Sequence, residues 1–144
     1  MSDGAGAVRD EIVRPAHREH LPALLAFVAE ATARAGVDPA TAADLRLVTE
    51  EACLNVIEHG YVAMTPGPIR LRVEHDGDRV VVTLEDEAAP FDPAGVAAPD
   101  LTASWDERAL GGLGWHLINT LMDEVRHERT AGGNRLTLVK RLAP

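Results

Sequence analysis

Residues 69–86 read IRLRVEHDGDRVVVTLED, and this stretch constrains the fold more than any other. Ile69, Leu71 and Val73 alternate with Arg70, Arg72 and Glu74, the period of a half-buried strand. Asp76-Gly77-Asp78 supplies a tight turn. The return strand, Arg79–Asp86, puts Val80, Val82 and Leu84 on one face. A hairpin with one apolar face belongs to an antiparallel sheet whose covered side needs another layer.

Helical patterns supply that layer. From His17 to Ala35, Leu21, Leu24, Leu25, Val28, Thr32 and Ala35 recur at helical spacing, and Gly36 follows as a stop. Asp38-Pro39 then offers an N-cap and a proline at the first helical position, opening a second helix from Pro39 to about His59. Leu113, Leu117 and Leu121 mark a third helix behind Gly111-Gly112-Leu113-Gly114. Ala7–Arg14 is a weaker strand candidate. Glu124–Arg129 and Arg135–Leu142 form a closing hairpin around a turn at residues 131–134. The expected class is α+β, one sheet with helices on one face. Ala88–Leu110 has no period and is rich in Ala, Pro, Asp and Gly, as functional connections often are.

Composition narrows the function. Aromatics are 3% of the 144 residues, so the core is aliphatic. A net charge of −9 argues against nucleic-acid binding through a basic face. Cys53 is the lone cysteine, so no internal disulfide forms and C-x-x-C zinc sites are absent. His17 and His20 have metal-like spacing without further ligands. No signal peptide or membrane span is expected, and the location is read as cytoplasmic.

Three places break the pattern. On a helical wheel, Glu51 and Asn55 form a narrow polar stripe with Glu58, between Leu45, Val48, Ala52 and Val56 on one flank and Leu47, Leu54 and Ile57 on the other. The solvent face is expected near Arg46, Thr49, Glu50 and Cys53. A buried carboxylate needs a partner. A salt bridge or capping contact would provide one; so would a pocket in which Glu51 acts as a base and Asn55 ligates Mg²⁺. The second break is Asp86, which continues the inward phase of Val80, Val82 and Leu84. It either takes up turn amides where the strand ends or is a fixed acceptor on a pocket floor, suited to an exocyclic amine. The third is GGLGWHLINTLMD, where glycines ahead of a helix N-terminus can cradle a phosphate, although glycine turns before helices are common.

These stretches, in this order, resemble the GHKL ATPases (gyrase, the heat-shock chaperone, histidine kinases, MutL), and within them the small bacterial anti-sigma factor serine/threonine kinases. TEEACLNVIEHGY resembles their N-box, LEDEAAPFDP their first glycine box and GGLGWHLINTLMDEV their second; GGNRLTLVKRL is similar to their C-terminal ending. The resemblance covers roughly residues 8–142. It implies a two-layer α+β sandwich with a mixed, mostly antiparallel sheet, the Bergerat or histidine-kinase-like ATPase fold. It also implies one ATPase domain over 1–144, a short ATP lid at 88–110, and ATP and Mg²⁺ as cofactors.

By the same resemblance, Glu51 is the catalytic base or hydroxyl-orienting residue and Asn55 binds Mg²⁺. Asp86 takes the adenine amino group. Gly112 and Gly114 let the phosphates approach, with Leu113 between them, and Thr137 sits near the adenine. His59 falls near the phosphates, or is simply a helix-end histidine favoured by the dipole. The implied partners are a sigma factor and a STAS-type antagonist phosphorylated on serine or threonine, often with a homodimer and without direct nucleic-acid or membrane contact. Two residues depart from the pattern: Ala88 replaces the usual glycine of D-x-G in the first box, and Glu58 adds a carboxylate to the stripe. Trp115 is expected to pack or to meet a partner. The implied activity is an Mg-ATP-dependent protein kinase. A regulatory module that sequesters a partner without phosphoryl transfer is the alternative, and a detached histidine-kinase catalytic domain a third.

Overall fold

The structure, a computed structural model, describes residues 8–61, 64–89 and 112–142. The elements run β1 (Val8–Pro15), a 3₁₀ turn (Arg18–His20), α1 (Leu21–Arg34), α2 (Pro39–Asn55), a π-helical turn (Val56–Gly60), β2 (Pro68–His75), β3 (Arg79–Asp86), α3 (Gly112–Leu121), β4 (Glu124–Arg129) and β5 (Asn134–Arg141). The strands form one sheet in the order β1-β2-β3-β5-β4. Every described pairing is antiparallel, so the sheet is not mixed among the described residues. The fold is the α+β, histidine-kinase-like sandwich that the resemblance implied.

Local chemistry sets the element ends. Gly36 stops α1 at φ +76°, a left-handed conformation that side chains resist. The Asp38 carboxylate caps α2 by accepting from Thr41 N–H at 3.0 Å. In the β2–β3 turn, Asp76 Oδ1 accepts from the backbone N–H of Asp78 and of Arg79, each at 3.1 Å. Those bonds hold the Asp76 carboxyl below its usual range. Lys140 Nζ donates to the Leu121 carbonyl at 2.8 Å, so β5 caps the end of α3.

The helices lie on one face. α1 packs against α2 and over β1 and β2; α2 packs against α3 and over β3; α3 meets β4. The core between the layers is contiguous and aliphatic, with Leu24, Val28, Leu45, Val48, Ile69, Leu71, Val80, Val82, Ile118 and Leu138 at most 1% exposed. On the opposite face charged side chains pair across strands, as in Arg135 Nε to Glu85 Oε2 at 2.6 Å and Arg70 Nε to Glu11 Oε2 at 3.3 Å.

The wheel of α2 differs from expectation. Thr49 and Cys53, placed on the solvent face by sequence, are both 0% exposed, whereas Leu47 is 37% exposed. The Thr49 hydroxyl donates to the Leu45 carbonyl at 2.7 Å, which satisfies it inside the core. Cys53 behaves as a small apolar side chain, and burial pushes its thiol up to about 12. The buried arc of α2 is therefore rotated, and Glu51 and Asn55 lie on its border rather than amid an apolar surface.

Candidate nucleotide site

A cavity of about 170 Å³ opens between the end of α2 and the sheet. Ala52, Asn55, Val56, His59 and Gly60 form one wall, from α2 and its π-helical turn. The ends of β3, β4 and β5 form the floor with Leu84, Asp86, His127, Asn134 and Leu136; Ala88 and Ala89 continue from β3, and Trp115 closes the α3 side. The structure thus brings together Asn55, His59, Asp86 and Ala88, which lie far apart in the chain.

Asp86 is 9% exposed, and its Oδ1 accepts from Ala88 N–H and from Asn134 Nδ2, each at 2.9 Å. The turn-amide and pocket-acceptor readings of this residue therefore coexist in one carboxylate. Asn134 Nδ2 also donates to the Ala89 carbonyl at 3.0 Å. Around them the backbone is tightly fitted. A Cβ on Gly133 would lie 1.9 Å from the Asp86 carbonyl oxygen, so only glycine lets β5 begin beneath the end of β3. The Tyr61 hydroxyl donates to the Pro68 carbonyl and accepts from Glu87 N–H, both at 2.8 Å, tying the end of the π turn to β2 and β3. Burial pushes the Tyr61 phenol up.

Ala88 is 4% exposed, with its methyl against Gly60: a Cβ on Gly60 would sit 3.2 Å from that of Ala88. The extra methyl in the D-x-G position is thus met by a residue that has none.

Asn55 Nδ2 is buried without a hydrogen-bond partner among the described residues. An orphaned amide on a cavity wall is costly unless something else meets it. Glu51, one turn earlier, does not line the cavity; it lies beside it, against α3. A Cβ on Gly114 would fall 2.8 Å from Glu51 Oε1, so the glycine makes room for the protein's own carboxylate. Burial first, then the neighbouring Glu50 charge, raises the Glu51 carboxyl above the ordinary glutamate range. Glu58 turns out of the cavity to pair with Arg18.

One residue of the expected site is placed differently from expectation. Thr137 does not reach the cavity. It stands opposite Thr83, and strand alternation sends it to the face away from Leu136 and Asn134, which do line the floor. Trp115 packs, one of its two expected roles: it is 7% exposed, belongs to the core and also forms cavity wall. The backbone of Gly112 opens α3. The side chain of Leu113 and most of the expected lid, residues 90–110, lie outside the described residues.

Sequence reasoning missed Asn134, Tyr61 and His127. Asn134 had a readable signal: Leu136 and Leu138 point inward, and stepping back by two reaches Asn134, provided the strand starts one residue earlier than the turn glycines suggest. Among the described residues no three His, Cys, Asp or Glu groups converge to hold a metal ion, His17 and His20 included. The residues do fit a ligand that brings oxygens of its own: the Asn55 Nδ2 hydrogens can donate to a ligand oxygen, and its Oδ1 is the kind of oxygen that Mg²⁺ takes beside phosphate oxygens.

Comparisons with known proteins agree with this geometry. The histidine kinase-like ATPase domain family matches residues 14–140. Serine-protein kinase RsbW of Bacillus subtilis is 31% identical over 128 residues, 85% of this chain and 79% of that protein. Serine/threonine-protein kinase BtrW of Bordetella bronchiseptica is 31% identical over 100 residues, 69% of this chain and 70% of that protein. Among solved structures, the RsbU and RsbW domains of Rv1364c from Mycobacterium tuberculosis share the fold at TM-score 0.67 and 23% identity, covering 95% of this chain and 33% of that one. The SiaB-SiaC complex from Pseudomonas aeruginosa shares it at TM-score 0.62 and 16% identity, covering 92% and 88%. The chain belongs to the histidine kinase-like ATPase family, in the group of the anti-sigma factor serine/threonine kinases.

Proposed function

We propose that the protein is an Mg-ATP-dependent serine/threonine protein kinase and anti-sigma factor. It would phosphorylate a STAS-type antagonist and hold a sigma factor when that antagonist is absent, as a cytoplasmic protein and possible homodimer. The domain would be single over 1–144, with 88–110 as lid. The observation that carries this reading is the buried Asn55 Nδ2, without a hydrogen-bond partner among the described residues, on the wall of a cavity whose floor holds Asp86. Among the described residues no helix is long and apolar enough to cross a membrane.

Each residue has a stated task. Asp86 accepts from the base amine. Asn55 holds Mg²⁺, and His59 stands on the same wall. The start of α3, with the backbone of Gly112, Leu113 and Gly114, presents N–H groups and the positive dipole end toward phosphate. ATP supplies the transferable phosphoryl group, with Mg²⁺ neutralising its charge. Glu51, its carboxyl raised by burial, accepts the proton of the substrate hydroxyl.

A second reading, sequestration without phosphoryl transfer, draws on the Ala88 methyl in the cavity wall and on a lining without lysine or arginine among the described residues. Calorimetric titration with ATP, with and without Mg²⁺, tests the site, with Asn55→Ala as control. Mg-dependent binding that the variant loses supports it; binding unchanged in the variant removes Asn55 from the site. Phosphate transfer to a STAS-type protein, lost in Glu51→Ala while ATP still binds, separates the kinase from the sequestering module.

A further inference from the structure

We propose that Asn134 is the positioning residue that makes Asp86 selective for a base bearing an amino group over one bearing a carbonyl at the same place; this rests on the nucleotide site proposed above. A carboxylate alone is a poor discriminator, because it can swing about its terminal torsion and present either oxygen or neither. Here that freedom is removed. Both in-plane lone pairs of Asp86 Oδ1 are taken, by Ala88 N–H and by Asn134 Nδ2, each at 2.9 Å. The bonds leave Oδ2 without a donor among the described residues.

Asn134 is itself held. It is 5% exposed, it faces Asp86 in register across β3 and β5, and the second hydrogen of Nδ2 goes to the Ala89 carbonyl at 3.0 Å. One amide group therefore ties the carboxylate to the first residues after β3, and both Asn134 and Ala89 line the cavity. Oδ2, an acceptor only, is satisfied by an N–H. Opposite a carbonyl oxygen it meets another acceptor, and both stay unpaired in a site that has excluded water.

The test compares adenosine and inosine triphosphates, which differ at the C6 substituent and in the hydrogen the 6-oxo base carries on N1, by calorimetric titration with Mg²⁺ on the full chain. The native protein should favour the adenosine form by at least about tenfold, the value of one unpaired buried group. In Asn134→Ala that ratio should fall toward one, chiefly through gained tolerance of the inosine form. Asp86→Asn should also erase the preference, and the double variant should add nothing further. If Asn134→Ala weakens both nucleotides equally and keeps their ratio, Asn134 is merely structural and the proposal is overturned. If the native protein binds nucleotide without preference, Asp86 does not read the base and the proposal also fails, while the nucleotide site stands. If it binds neither nucleotide, the site itself is wrong and takes the proposal with it. Should Asn134→Ala not fold, NMR of the native protein decides. Both Asn134 side-chain amide protons should exchange slowly; exchange at the rate of a free amide would overturn the proposal.

Discussion

The two ends of the cavity are built on opposite principles. At the sheet end, Asp86 Oδ1, Asn134, Tyr61 and the backbone of Ala88, Ala89 and Glu87 satisfy one another, over a glycine that tolerates no Cβ, and Asp86 Oδ2 is left as the acceptor for a base. At the helix end, Asn55 Nδ2 has no hydrogen-bond partner among the described residues, and Glu51 is pressed against Gly114 with its carboxyl raised. The first end is committed to the fold before any ligand arrives. The second leaves polar groups unspent, a cost a folded chain bears where function requires it. Substitutions that break the scaffold of the sheet end, outside the Asp86–Asn134 pair that reads the base, should therefore be read out mainly in stability, and those at the helix end mainly in binding and chemistry.

Gly133→Ala should break the floor and give the largest stability loss. Its new Cβ would collide with backbone, which cannot turn aside as a side chain tip can. The expected cost is about 3 kcal/mol, the upper part of the range for overpacking, measured by urea denaturation. A loss under about 0.5 kcal/mol, the level of an ordinary surface change, would mean the floor is loose and the contrast between the two ends false.

Asn55→Ala tests the other end. It should lower Mg-dependent ATP affinity at least about a hundredfold, roughly 2.7 kcal/mol. Stability should hold or rise, because the change removes an unsatisfied buried group rather than a bond. A variant that melts far earlier would show that Asn55 belongs to the fold, and the comparison would collapse from this side.

How far the sequence made this division legible depends on what each residue's signal was. The hairpin alternation placed Arg79–Asp86 as the structure has it, and so gave Asp86 its inward phase. Asn134 was lost by a single residue of register, because Gly132-Gly133-Asn134 reads as turn while the structure starts β5 at Asn134. Thr137 failed by parity, since an odd step from Leu136 crosses to the other face. On α2 the helix was legible but its rotation was not. Thr49 and Cys53 read as surface residues because they share a wheel arc with Arg46 and Glu50, yet a hydroxyl bonded to its own helix costs little to bury. Tyr61 carried no pattern at all: its two backbone partners, Pro68 and Glu87, are reached only through the tertiary fold.

Tyr61→Phe sharpens the sheet-end claim at smaller size. It keeps the ring and removes the hydroxyl that serves Pro68 and Glu87. The loss should be about 1–2 kcal/mol, two net hydrogen bonds, seen as an earlier melting midpoint. A stability unchanged within error would show that water replaces both bonds and that the staple is ornamental to the floor.

The smallest expected effect is a pH dependence, and it probes the unspent end directly. Burial raises the Glu51 carboxyl in the folded chain above its value in the unfolded chain. The folded state therefore binds this proton more tightly, so Glu51 favours folding most when protonated, below the unfolded glutamate range. That contribution is lost as pH rises through the folded value, and above it the buried charge works against the fold. The same titration should act oppositely on function: only the ionised carboxylate can take a hydroxyl proton, so transfer should increase across the window in which this share of stability declines. Glu51→Gln removes the titration. Its stability curve should be flatter than the native one just above the ordinary glutamate range, and transfer should be lost at every pH. Matching native and Glu51→Gln stability curves through that window would mean the carboxylate is solvated, and the helix end of the cavity would no longer differ from the floor in the way its geometry suggests.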